Sequence, residues 1–214
     1  GNTTGDAGNT DAIYQKALTA ANAAKNAFDA NPDISDSIAA SDSNSSITPY
    51  TNAYKATVDQ MKANYQSGIS QYLSGQATSS NVSSEATQGY NDAKTGYATA
   101  MQGSTMASNS TSGVQAGFNQ GQLVYAGYTN AMNNQTSAGS QNAHQVDGYN
   151  GATDGVSAVM NAGGTVLSDA QLKANGKSFD YIQAYDKAVN EAQNSRSIGA
   201  QQYLSGQSRP TGTT

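Results

Sequence analysis

The stretch Tyr50–Gln76 (YTNAYKATVDQMKANYQSGISQYLSGQ) returns without a gap as Tyr181–Gln207 (YIQAYDKAVNEAQNSRSIGAQQYLSGQ), with 11 of 27 positions identical. Repetition is how proteins build length, and a chain that repeats itself reads as a piece of a longer array. What is kept also matters. The repeat spares Ala53, Val58, Gly68 and Leu73, while Lys55 becomes Asp186 and Lys62 becomes Gln193. Tyr54 and Tyr72 recur as Tyr185 and Tyr203. Retention on one face with free change on the other points to packing, so these four rings are expected between helices.

The spacing is helical. Tyr50, Tyr54, Val58, Met61, Tyr65, Ile69 and Tyr72 step by fours and threes, which is one face of a helix. Pro49 suits a first helical position, and Thr48 is expected to cap it. Gly75 and Gly206 end the two copies. Similar stripes run through Tyr14, Ala17, Ala21, Ala24 and Phe28, and from Val82 to Met101, Val114 to Met132 and Tyr149 to Val159. They predict helices at 10–29, 49–74, 82–102, 112–135, 141–162 and 179–205, joined by Ser-, Asn-, Gly- and Thr-rich loops. Asn31-Pro32 stops the first. Five of the glycines precede an aromatic residue: Gly89-Tyr90, Gly96-Tyr97, Gly117-Phe118, Gly127-Tyr128 and Gly148-Tyr149. A missing side chain beside a large ring lets two helices approach closely. The fold class this predicts is all-α: antiparallel helical bundles or a helical repeat array of about six helices, elongated. One division takes residues 1–76 as the last helices of one module, 77–207 as a second, four-helix module, and 208–214 as a tail. Two three-helix bundles, 1–105 and 106–207, are as simple a division.

Composition narrows the function. Charged residues are 12% and the net charge is −5, with no basic patch, so neither nucleic acid nor an anionic membrane is expected as partner. No apolar run approaches the roughly 18 residues that span a bilayer, so no membrane insertion is expected. No signal peptide is visible, as expected of an excised fragment. With no Cys there is neither a disulfide framework nor a thiolate metal site. Catalysis finds no foothold. The single His, His144, has no nameable partner and is expected to be exposed and idle. Asp11, Asp59, Glu85, Asp92, Asp180 and Glu191 are scattered as solvated charge, against the paired carboxylates of a glycosidase. Asp42, Asn44 and Ser46 alternate as calcium-loop ligands do, but the central Gly and closing Glu of that loop are missing. Asp147, Asn150 and Asp154 have the wrong spacing. Gly117 and Gly121 form a GxxxG, in a segment too polar for a membrane dimer face. Asn44, Asn81, Asn109 and Asn134 begin N-x-[ST] triplets, and loops 37–48, 77–84 and 103–112 suit O-linked sugar. No catalytic, cofactor-binding or metal residue is assigned, no cofactor is expected, and the chain is read as a non-enzyme.

Tyr-x-x-Ala phrases recur as YQKA, YTNAYKA, YNDA, YTNAM and YIQAYDKA. With the QYLSGQ endings, the scarcity of charge and the Ser/Thr/Asn loops, they resemble the helical repeat regions of large surface proteins of lactic acid bacteria. The resemblance covers essentially the whole chain and carries no binding residues. It implies a secreted segment on a Gram-positive cell surface, attached to the wall through regions outside this sequence. It implies a stalk or adhesin whose partners are neighbouring repeats and a host glycoprotein or mucin. Within that frame the segment either holds a binding surface away from the wall or is itself an adhesin head for a host glycan.

Overall fold

The computed structural model describes residues 4–38, 42–78, 82–135, 142–162 and 164–206, with backbone alone for residues 4–9. Among them the fold is all-α: α1 (Thr4–Ala30), α2 (Thr48–Leu73), α3 (Ser84–Met101), α4 (Ser112–Met132), α5 (Ala143–Met160), α6 (Asp169–Ala174) and α7 (Phe179–Leu204). Six lie where the apolar stripes put them. The short α6 was not expected; it starts in a capping box formed by Ser168 and Gln171 and buries Leu172. Thr48 does not cap α2. The helix starts at Thr48 itself, from an extended Ile47 that makes no side-chain cap, and Pro49 supplies the preset φ.

The helix ends repeat a device. Gly75 (φ 71), Asn134 (φ 53) and Gly206 (φ 68) are left-handed, just past α2, α4 and α7. Gln76 N–H reaches back to Gln71 O at 2.9 Å and Gln135 N–H to Asn130 O at 2.8 Å, the long back-bond of a Schellman end.

The chain divides into two compact units, Gly1–Gly96 with Met106–Gly117, and Tyr97–Thr105 with Phe118–Thr214. In the first, α1 buries Ala20, Ala24 and Phe28. The Phe28 ring meets Tyr65 of α2 edge-on, with centroids 6.0 Å apart. The stripe begins later than expected, because Tyr14 is 61% exposed. On α2, Tyr50, Val58, Met61, Tyr65, Ile69 and Tyr72 are buried as expected. The Tyr72 ring packs edge-on against Tyr90 of α3 at 5.1 Å.

Between α2 and α3 the backbones touch. A Cβ on Gly68 would lie 1.8 Å from Ala86 O, and one on Gly89 would lie 2.1 Å from Tyr65 O. No residue but glycine fits either place. Gly in a helix costs about 1 kcal/mol relative to Ala. Close backbone approach offsets this through dispersion and Cα–H···O contacts.

The second unit builds the same joint. Gly68 to Gly127 and Gly89 to Gly148 are both steps of 59 residues. A Cβ on Gly127 would meet Gln145 O at 1.9 Å and Tyr149 N at 2.8 Å, and one on Gly148 would meet Val124 O at 2.2 Å. Gln145, Tyr149 and Val124 are the 59-residue counterparts of Ala86, Tyr90 and Tyr65, the atoms met in the first unit. So α2–α3 and α4–α5 are two copies of one antiparallel hairpin, its partners running in opposite senses.

Other neighbours are parallel. In the second unit Gly121 lies on Tyr97 and Ala100, and Gly103 on Tyr125, so α4 advances with α3. In the same unit Gly151 lies on Tyr181, and Gly155 on Tyr185 and Ala188, so α5 advances with α7. The connections allow it. The 18-residue α3 is about 27 Å long, and residues 102–111 extended reach about 33 Å. The second core, Leu172, Tyr181, Ile182, Tyr185 and Val189, joins α6 to the first half of α7.

Candidate functional site

In the second unit a buried carboxylate, Asp180, is paired with the chain's single histidine. Asp180 sits in the first turn of α7, behind the Ser178 cap, where the helix dipole favours a carboxylate. It is 4% exposed. Tyr97 OH donates to its Oδ1 at 2.9 Å, and Gln120 Nε2 donates to both oxygens at 3.0 and 3.2 Å. His144 Nδ1 lies 2.5 Å from Oδ2. The expected idle imidazole is therefore paired, and half its side chain is covered. The Asn142 side chain caps α5 by accepting from His144 N–H, which fixes the histidine at that helix start. Asp180 thus ties α3, α4, α5 and α7 together. Its role is to neutralise donors that would otherwise be stranded.

The same logic recurs as phenol–carboxylate pairs. In the first unit Tyr65 OH donates to Asp92 at 2.6 Å, and Thr111 Oγ1 donates to the same carboxylate at 2.9 Å. Gly113 N–H donates to the Tyr65 oxygen at 3.2 Å. In the second unit Tyr128 donates to Glu191 and Tyr181 to Asp154. Burial, then the carboxylate, pushes the Tyr65 hydroxyl up to about 12, and the Tyr128 and Tyr181 hydroxyls go up for the same reasons. Burial alone would raise Glu191, but hydrogen bonds from Lys187 and Tyr128 hold it below its ordinary value. Acids read as solvated charge, Asp92, Asp180 and Glu191, are thus structural acceptors. The signal available was a Tyr-rich chain with few acids, of which Asp42, Asp92, Asp154, Asp180 and Glu191 accept from a phenol.

The other sequence candidates are placed plainly. Asp42 accepts from Asn44 N–H at 2.8 Å and from Tyr50 OH at 3.3 Å, closing a turn. Asp147 accepts from Ser178 Oγ at 2.7 Å, and Asp154 holds Tyr181. Among the described residues no group of three or more His, Asp or Glu could hold a metal. Gly117 and Gly121 serve helix packing within their own units, against Ala93 and Tyr97. No described helix is long and apolar enough to cross a membrane. Asn109 and Asn134 are exposed, Asn44 is half-buried, and Asn81 lies outside the described residues.

The far half of α7 is open to a partner, as is the Ile13–Leu18 stretch of α1. An open groove of about 940 Å³ runs between α5 and α7, lined by Met132, Val156, Val159, Val166, Ala192 and Arg196. Beyond it Ile198, Tyr203 and Leu204 are exposed, Tyr203 by 85%. The expectation of a buried Tyr203 is therefore overturned. Its counterpart Tyr72 is buried because α3 lays Tyr90 on it, and no described helix does this for Tyr203. Tyr185 is buried as expected and Tyr54 half-buried. No family model, curated protein or solved structure matches the chain.

Proposed function

We propose that the chain is a structural and interaction segment of a bacterial surface adhesin. It is built of helical repeats that hold or form a binding surface away from the cell wall. The observation that carries this reading is the hairpin made twice with the same backbone contacts, Gly68 with Gly89 and Gly127 with Gly148. Repeated joints of this kind let length grow by copying one interface. The polar side chains support it: His144, Asp180, Tyr65, Asp92, Tyr128 and Glu191 bind one another. The resemblance to surface proteins of lactic acid bacteria implies a segment outside the cell whose own partners are neighbouring repeats, a host glycoprotein or mucin being met by the surface it holds.

The test is display on beads. The chain alone is expected to leave beads unbound by immobilised mucin. Set beneath an unrelated lectin head, it should leave that head's binding intact. Mucin capture by the chain alone would replace the spacer reading with the second one, a head that binds host glycan directly. The exposed Tyr14 and Tyr203 rings favour that second reading, since aromatic faces stack on sugars.

A further inference from the structure

The far half of α7 is the third copy of a surface that is covered twice elsewhere in the chain. The 131-residue repeat sets Gly199 on Gly68, and the 72 residues from Gly127 to Gly199 match those from Asn134 to Gly206 at the helix ends. Gly68 lies against α3 and Gly127 against α5. Among the described residues, no atom outside its own helix backbone and chain neighbours lies within 4 Å of a Cβ built on Gly199. A glycine in an exposed helix lowers helix stability and here has no neighbour to admit. Beside it Tyr203, Leu204 and Ile198 stand in solvent, where Tyr72 is buried.

We propose that this face is a docking surface for one further helix of the α3 and α5 kind, joined in cis after α7. That helix would carry a Gly-Tyr pair whose glycine lies 21 residues after Gly199, the step from Gly68 to Gly89 and from Gly127 to Gly148. Its glycine would admit the α7 backbone near Arg196, the counterpart of Tyr65, and its tyrosine would cover Tyr203 as Tyr90 covers Tyr72. The chain's own helices do not fit the place from a second copy. The Gly-Tyr faces of α3 and α5 are already closed on α2 and α4. The exposed stretch of α1 has the phrase Ile13-Tyr14-Gln15-Lys16-Ala17 where α3 has Gly89-Tyr90-Asn91-Asp92-Ala93. Ile13 would drive a branched side chain into the opposing backbone. The proposal does not require a bacterial surface, so its failure would leave the spacer reading standing.

The test extends the chain. Residues 1–207 are followed directly by a second copy of residues 77–102 in one extended protein, and by a copy of residues 136–162 in another. Amide exchange is then read on peptides covering residues 195–204. Protection by at least tenfold over the unextended protein is expected in at least one extension. Gly199→Leu should abolish the gain, as should Gly89→Leu made in the appended copy only. Gly199→Leu in the unextended protein should leave exchange elsewhere unchanged, because it meets open space. Exchange at 195–204 unaltered in both extensions would overturn the proposal, as would a gain that survives Gly199→Leu. Protection that appears in the unextended protein with rising concentration would assign the face to a second copy, and would also overturn it.

Discussion

Tyr97 and Asp180, 83 positions apart, share a 2.9 Å hydrogen bond in the interior of the second unit. The phenol comes from the end of α3 and the carboxylate from the first turn of α7, and Phe179 packs its ring on Tyr97 at 5.3 Å. Removing the hydroxyl leaves a buried carboxylate oxygen with Gln120 as its remaining donor. Tyr97→Phe is expected to cost about 1–3 kcal/mol and lower the melting temperature by several degrees. An unchanged melting temperature would show that water replaces the hydroxyl.

His144→Ala is expected to destabilise by about 1–2 kcal/mol, since Asp180 keeps Tyr97 and Gln120 but loses its closest partner. His144→Gln, which retains a donor, should recover part of that loss. Thermal melts of the three proteins check this. Equal melting points for all three would return His144 to the idle state that the sequence suggested.

That reversal shows where sequence reading stops. Helical stripes are local, so α2, α4 and α7 were legible from spacing, and the Gly-aromatic pairs marked Gly89, Gly117, Gly127 and Gly148 as places of close approach. Gly68, Gly121 and Gly151 do the same work without an aromatic behind them, and the pattern passed over the role they play. The His144–Asp180 pair joins residues on two helices, and nothing local to either announces the other. Tyr203 was misplaced for a related reason. A repeated residue carries its chemistry with it, but its burial belongs to the helix laid over it. The parallel course of α3 and α4 rested on the 102–111 connection, whose composition says loop and nothing of direction.

Asp186 supplies a pH dependence. Burial, then the charge and hydrogen bond of Asp169, push its carboxyl up to about 6. A carboxyl raised on folding favours the folded state while protonated. Its contribution is therefore full below the unfolded value near 4 and lost as pH rises through about 6. Asp186→Asn removes that loss. It should raise the melting temperature by a few degrees at pH 7 and leave it close to wild type at pH 3.5. The same difference at both pH values would contradict the assignment.

The central claim is that one glycine joint is built twice and left open a third time. Its most direct test is the melting temperature of three equivalent variants, Gly68→Ala, Gly127→Ala and Gly199→Ala. A single methyl at Gly68 or Gly127 would sit 1.8 or 1.9 Å from a backbone oxygen, so the helices must part. Overpacking of this kind costs about 1–3 kcal/mol and occasionally more, which should lower the melting temperature by about 3–10 °C. Gly199→Ala meets open space and gains helix propensity, so its melting temperature should hold or rise slightly. Equal losses at all three positions, or none at any, would contradict the account.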